Sequence, residues 1–131
     1  MNAKQNKTKE KKKVVFVIED DLFLVKAYKI KFQKEGAEVW VSTDGKEALS
    51  FLEREPPNIV LLDLMLPGLS GFEVLAAIRE NERWKNVPVI ILTNLGQPQD
   101  IERGKQLGIE DYIVKANVKI DDVVKKVKKY L

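Results

Sequence analysis

Asn58-Ile59-Val60-Leu61-Leu62-Asp63-Leu64-Met65-Leu66-Pro67-Gly68-Leu69-Ser70-Gly71 joins an apolar run, a carboxylate and a turn, and the architecture of the chain follows from it. Ile59 to Leu62 is an unbroken apolar run. A run that short reads as a strand buried on both faces, as in a parallel sheet. It ends on a carboxylate. Ionised Asp is costly to bury unpaired, so Asp63 belongs at the carboxyl end of the strand, the edge where open α/β sheets meet solvent and bind their ligands. Pro67-Gly68 makes a turn. Ser70, with Glu73 three residues on, has the form of a capping box at a helix start.

Working outward, the same unit recurs. Val14 to Ile18 is a β-branched run that ends on Glu19-Asp20-Asp21. Residues 22–35 place Val25, Tyr28 and Phe32 at helical spacing, and Gly36 reads as the residue that ends this helix. Ala37 to Ser42 alternates as an edge strand does. Asp44 and Glu47 form a second capping-box candidate, and Pro56-Pro57 stops the helix that follows. After the Asp63 strand, a helix runs to about Asn81. Val87 to Thr93 is a fourth buried run with Pro88 near its start. Pro98 suits a first helical turn, and that helix ends near Gly108. Ile109 to Lys115 is the fifth strand. Asp121-Asp122 opens the last helix and Lys125, Lys126, Lys128 and Lys129 close it, both placements complementing the helix dipole. Strand and helix thus alternate five times, which implies a doubly wound α/β domain with a parallel sheet covered on both faces. Trp40 and Trp84 read as partly buried residues.

Composition removes several functions. A chain of 131 residues fits one domain. No apolar run approaches the length needed to span a bilayer. The basic start meets acids too soon to be a signal peptide. Cys is absent, which excludes disulfides and thiolate chemistry and suits a cytoplasmic location. His is absent too, which excludes histidine acid–base catalysis, histidine metal sites and a phosphohistidine carrier role. The net charge is +3, yet residues 1–13 hold six Lys against one acid, so the remainder is mildly acidic. Residues 1–13 read as a disordered basic tail and 14–131 as the folded domain.

Four strands end on polar residues: Glu19-Asp20, Asp63, Thr93 and Lys115. In a parallel sheet these ends share one edge. Three close carboxylates repel and need a cation. With oxygen ligands only, that cation is hard, Mg²⁺ before transition metals. A lysine and a hydroxyl beside Mg²⁺ suit the oxygens of a phosphoryl group. Asp63 is the nucleophile at the centre, and the chemistry implied is aspartyl phosphorylation.

The chain resembles a response-regulator receiver domain of the two-component signalling type, similar to the single-domain chemotaxis regulators. The resemblance covers residues 14–131 and rests on Val-Ile-Glu19-Asp20, Asp63-Leu-Met-Leu-Pro67-Gly-Leu-Ser-Gly71, Ile-Leu-Thr93 and Tyr112-Ile-Val-Lys115, in family order and at family spacing. It implies a flavodoxin-like (βα)5 fold with strand order 2-1-3-4-5, the first and fifth helices on one face and the second, third and fourth on the other. It implies Asp63 as phosphoacceptor, Asp20 as direct Mg²⁺ ligand with Glu19 as its outer-shell partner, and the backbone carbonyl of Met65 as a further ligand. Asp21 is the rival for the acidic pair. Thr93 resembles the switch hydroxyl, Lys115 the phosphate-pairing lysine and Tyr112 the aromatic that swings inward. The implied partners are a sensor histidine kinase or phosphotransfer protein and a downstream effector that meets the fourth helix, fifth strand and fifth helix. The domain would be a monomer or a weak phosphorylation-dependent dimer. It would catalyse its own Mg²⁺-dependent phosphorylation and dephosphorylation without being a conventional enzyme. With no room for a DNA-binding domain after Leu131, it is expected to act through partners.

Two departures touch the site's edge. Asn94 follows Thr93 where a small residue is usual, and Ala116 follows Lys115 where Pro is usual. A cis bond to Ala costs about 2.5–4 kcal/mol against about 0.5–1 to Pro, so a trans Lys115–Ala116 bond and a different path over residues 116–119 are expected. Two other functions compete with the signalling switch. One is a phosphorylation-independent interaction module that retains the site. The other is a flavodoxin-like or phosphatase enzyme, which lacks support because no phosphate-cradling Gly/Ser-rich loop follows the first strand and no second Asp lies two residues after Asp63.

Overall fold

The computed structural model describes residues 12–131. The expected basic tail falls outside the described residues, apart from exposed Lys12 and Lys13. The elements are β1 (Val14–Ile18), α1 (Leu22–Lys34), β2 (Glu38–Ser42), α2 (Gly45–Ser50), β3 (Ile59–Leu62), α3 (Gly71–Glu80), β4 (Val89–Thr93), α4 (Pro98–Gln106), β5 (Asp111–Val114) and α5 (Ile120–Lys128). Single 3₁₀ turns at Phe51–Glu53 and Lys115–Asn117 extend α2 and follow β5. The five strands form one parallel sheet in the order β2-β1-β3-β4-β5.

Alternation along the strands divides the core. Val15, Val17, Ile59, Leu61, Ile90 and Leu92 face Tyr28 and Phe32 of α1 and Val123, Val124 and Val127 of α5. Phe16, Ile18, Val60, Leu62 and Ile91 face Ala48 of α2 and Phe72, Val74, Leu75 and Ile78 of α3, with Leu107 of the α4 end against the same cluster. The helices are therefore distributed over the two faces as expected. Every residue of β3 is buried, which is why its sequence does not alternate.

Local chemistry sets the element ends. Gly36 adopts φ +85°, its N–H bonds Gln33 O, and the Ala37 N–H bonds Phe32 O, a Schellman closure of α1. Ser70 and Glu73 form the complete capping box at α3. The Asp44 box differs from expectation: Asp44 Oδ1 accepts the Glu47 N–H, but Glu47 Oε1 accepts from Thr43 N, one residue early. Trp84 also differs. It is fully buried, edge-on to Phe16 at 6.0 Å, and its Nε1 donates to Arg54 O at 2.9 Å. The indole satisfies a carbonyl left over just past the 3₁₀ end of α2, so burial carries no polar penalty. Trp40 is half-buried, as expected.

Candidate functional site

Pairing register brings the polar strand ends together. Ile18 lies beside Leu62, Leu62 beside Ile91, and Thr93 beside Val114. Glu19 and Asp63 therefore leave adjacent strands at one edge, where Thr93 ends β4 and Lys115 follows β5. The backbone fixes this edge further: the Asp63 N–H donates to Ile18 O and the Glu19 N–H to Ser42 O, both at 3.0 Å. β5 is shorter than its sequence suggests. Lys115 lies one residue past its end, in the 3₁₀ turn.

The Lys115 ammonium sits between two carboxylates, 2.7 Å from Asp63 Oδ2 and 2.7 Å from Glu19 Oε1. Both acids are almost wholly buried, with side chains 4% exposed, and Lys115 is 17% exposed. Burial pushes the Glu19 carboxyl up, against the Lys115 hydrogen bond and the Asp21 N–H that lower it; the charge of Asp63 adds to the rise. Burial works against the Lys115 ammonium, but its bonds to Asp63 and Glu19 outweigh that and hold its pKa above the ordinary lysine value. The two shifts describe one cluster in which a single cation answers two buried anions.

Asp20 completes the acid group. Oxygens of Glu19, Asp20 and Asp63 all lie within 4.8 Å of one another, Asp20 on the exposed side. Asp21 is committed elsewhere: its Oδ1 accepts the N–H groups of Phe23 and Leu24 and caps α1. Glu19 and Asp20, rather than Asp21, are thus the acids grouped with Asp63. Three carboxylates with one ammonium leave net negative charge at a solvent-facing edge, and the donor set is all oxygen, so the arrangement fits a hard divalent cation. The Met65 N–H donates to Asp63 Oδ1 at 3.0 Å, which puts the backbone of this exposed residue at the rim.

Thr93 is fully buried, and its Oγ1 accepts the Leu95 N–H at 3.4 Å. A hydroxyl that accepts this bond keeps its own hydrogen available to donate. Tyr112, half-buried, donates its hydroxyl to Leu95 O at 2.5 Å. Thr93 and Tyr112 therefore hold opposite ends of one loop residue. Burial first, then the charges of Asp100 and Asp63, push the Tyr112 hydroxyl up to about 12. Every described peptide bond is trans, Lys115–Ala116 included.

Tyr28 was not anticipated near the site. It projects from α1 beneath it, in a closed space shared with Glu19, Asp63, Leu61 and Leu92, and its hydroxyl is pushed up by burial and by the Glu19 charge. Its helical spacing identified it only as a core residue. The signal was its polar tip on a helix packed over the carboxyl end of β1.

Comparison with known proteins agrees with this geometry. A family model, that of the response regulator receiver domain, matches residues 15–128. A probable transcriptional regulator, ycf27, of Cyanophora paradoxa is 36% identical over 104 residues, covering 79% of this chain and 42% of that protein. The chain thus spans less than half the length of that curated relative. Among solved structures, the receiver domain of the Francisella response regulator 1452 superposes with a TM-score of 0.80 at 31% identity, covering 90% of this chain and 95% of that one. The receiver domain of the sensor histidine kinase PA1611 from Pseudomonas aeruginosa PAO1 superposes with a TM-score of 0.79 at 26% identity, covering 92% and 98%, and holds a magnesium ion in its active-site cleft.

Proposed function

Because the chain belongs to the response regulator receiver domain family, we propose that it is a signalling switch phosphorylated on Asp63 in a Mg²⁺-dependent reaction. The observation that carries this reading is the Lys115 ammonium held between buried Asp63 and Glu19, with Asp20 at the open side of the same cluster.

Asp20, Asp63 and the Met65 carbonyl would hold the Mg²⁺, with Glu19 behind them. When bound, the cation supplies positive charge to the phosphoryl oxygens. Asp63 provides the attacking carboxylate oxygen, the donor's phosphorus–nitrogen bond breaks, and an acyl phosphate forms. The Met65 N–H on Asp63 Oδ1 and the Lys115 ammonium on Oδ2 fix the carboxylate before attack. Lys115 then turns from the carboxylate to a phosphoryl oxygen. Thr93 offers its free hydrogen to another, a donor aimed at charge that develops during transfer. Drawing Thr93 inward disturbs Leu95, and through it Tyr112, so the α4–β5–α5 surface changes. That surface is the proposed effector face.

The proposed donor is a histidine kinase or phosphotransfer protein, the proposed location is the cytoplasm, and the proposed state is a monomer or a weak phosphorylation-dependent dimer. Thermal melting tests the reading. Mg²⁺ is expected to raise the melting temperature, and beryllofluoride added with Mg²⁺ to raise it again. Asp20→Asn should weaken the first increment and Asp63→Ala should remove the second. A parent protein that responds to neither would instead be a phosphorylation-independent interaction module on this fold.

A further inference from the structure

Gly45 has no part in the chemistry above, yet it seats the loop that supports it. The segment between β3 and α3 is tied at both ends to Asp63 and its neighbour. The Met65 N–H donates to Asp63 Oδ1, and the Gly71 N–H donates to Leu64 O at 3.0 Å. The middle of the loop rests on the start of α2: the Gly45 N–H donates to Pro67 O at 3.0 Å. The approach is so close that a Cβ at Gly45 would lie 2.2 Å from Leu69 O and 2.9 Å from Leu69 C and Cβ. Two of these three are backbone atoms, so no rotamer change relieves the overlap.

The two sides of this contact are unequally held. The start of α2 is fixed by Ser42 Oγ on Asp44 O, by Glu47 N–H on Asp44 Oδ1 and by Thr43 N–H on Glu47 Oε1. The loop presents Met65, Pro67 and Gly68 to solvent. A side chain at position 45 would therefore displace the loop, and Met65 moves with it.

We propose that Gly45 is a positioning residue for the divalent-cation site: its missing Cβ lets the loop seat on α2 and holds the Met65 backbone in register with Asp63. This rests on the reading of Glu19, Asp20 and Asp63 as the acids that receive Mg²⁺. Gly45→Ala changes none of the acids, Thr93 or Lys115, and acts only through the Met65 backbone, which carries the carbonyl toward the cation and the N–H on Asp63 Oδ1.

The test is Mg²⁺ titration by calorimetry on the parent chain and on Gly45→Ala, Gly68→Ala and Gly104→Ala, followed by acetyl phosphate labelling across Mg²⁺ concentrations. Gly45→Ala is expected to bind Mg²⁺ about ten- to hundred-fold more weakly, the usual effect of losing support behind a metal ligand. Its labelling rate should rise toward the parent value as Mg²⁺ saturates, with any remaining deficit due to the displaced Met65 N–H on Asp63 Oδ1. Gly68→Ala strains the same loop through its backbone, at φ +80°, with its Cβ in ordinary contact with Lys46 and Asp44, and should shift affinity the same way by less. If Gly45→Ala does not fold, Gly68→Ala decides. Gly104→Ala is a close-packed glycine in α4 and should keep the parent affinity. Parent-like affinity in Gly45→Ala and Gly68→Ala overturns the proposal, as does a labelling rate that does not rise with Mg²⁺ or an equal loss of affinity in Gly104→Ala. A parent chain that binds no Mg²⁺ overturns the proposed function itself, and this inference with it.

Discussion

At Lys115 one ammonium answers two buried carboxylates, so its removal leaves an unpaired acid pair at the sheet edge. Breaking a buried ion pair costs about 3–5 kcal/mol, and partial exposure of Lys115 places Lys115→Met toward the lower end. Urea unfolding should show that loss, and Mg²⁺ should narrow the gap between variant and parent, because the cation serves the same acids. Equal stabilisation of both proteins would mean that the cation binds elsewhere. Tyr112 allows a prediction about pH. Its pKa in the folded protein, about 12, lies above the ordinary tyrosine value of 10.0. The stability it contributes is therefore fully present below pH 10 and is lost as pH rises through about 12. Tyr112→Phe should cost about 0.5–1.5 kcal/mol at neutral pH, the net worth of the hydroxyl bond to Leu95, and the difference from the parent should shrink across that alkaline window. The meeting of Lys115 with Asp63 at one sheet edge was legible in sequence, because each is a chemically distinctive group at the carboxyl end of an expected strand. The Lys115–Glu19 bond was not, because it depends on where a long side chain comes to rest, which no spacing rule specifies.

The elements were legible where capping chemistry is local. Ser70 and Glu73 announce α3, and both bonds of the box form; Ser70→Ala should cost about 1 kcal/mol by chemical denaturation. The Asp44 box misled because Thr43 N–H competes for Glu47, a choice made by the chain path out of β2. The segment after β5 is the sharpest case. The absence of Pro pointed to a trans bond, which forms, and the chain takes a 3₁₀ turn over Lys115–Asn117. Proline disfavours the helical region for the residue before it, and that residue here is Lys115, inside the turn. Ala116→Pro should therefore lower stability and slow labelling together, since it pushes Lys115 out of its present backbone. A more stable Ala116→Pro variant with unchanged labelling would contradict this account of the turn.

The whole molecule is a sheet whose apolar runs set what is buried and whose strand ends set what is displayed. That much follows from strand length, β-branching and strict alternation of elements, and it places the acid cluster before any contact is seen. Contacts between distant segments were not legible, among them Trp84 on the Arg54 carbonyl and Gly45 on the β3–α3 loop, because they depend on how finished elements dock. The proposed switch belongs to this scale as well. Amide exchange across residues 93–131 should change on adding Mg²⁺ with beryllofluoride, since Thr93, Leu95 and Tyr112 are joined through one loop residue. The central claim is that Asp63 accepts the phosphoryl group. It is tested most directly by intact-mass and peptide analysis after incubation with acetyl phosphate and Mg²⁺. A mass gain of one phosphoryl group is expected, located on the peptide that contains Asp63, dependent on Mg²⁺ and absent in Asp63→Asn. The same gain in Asp63→Asn, or its location on another peptide, would contradict it.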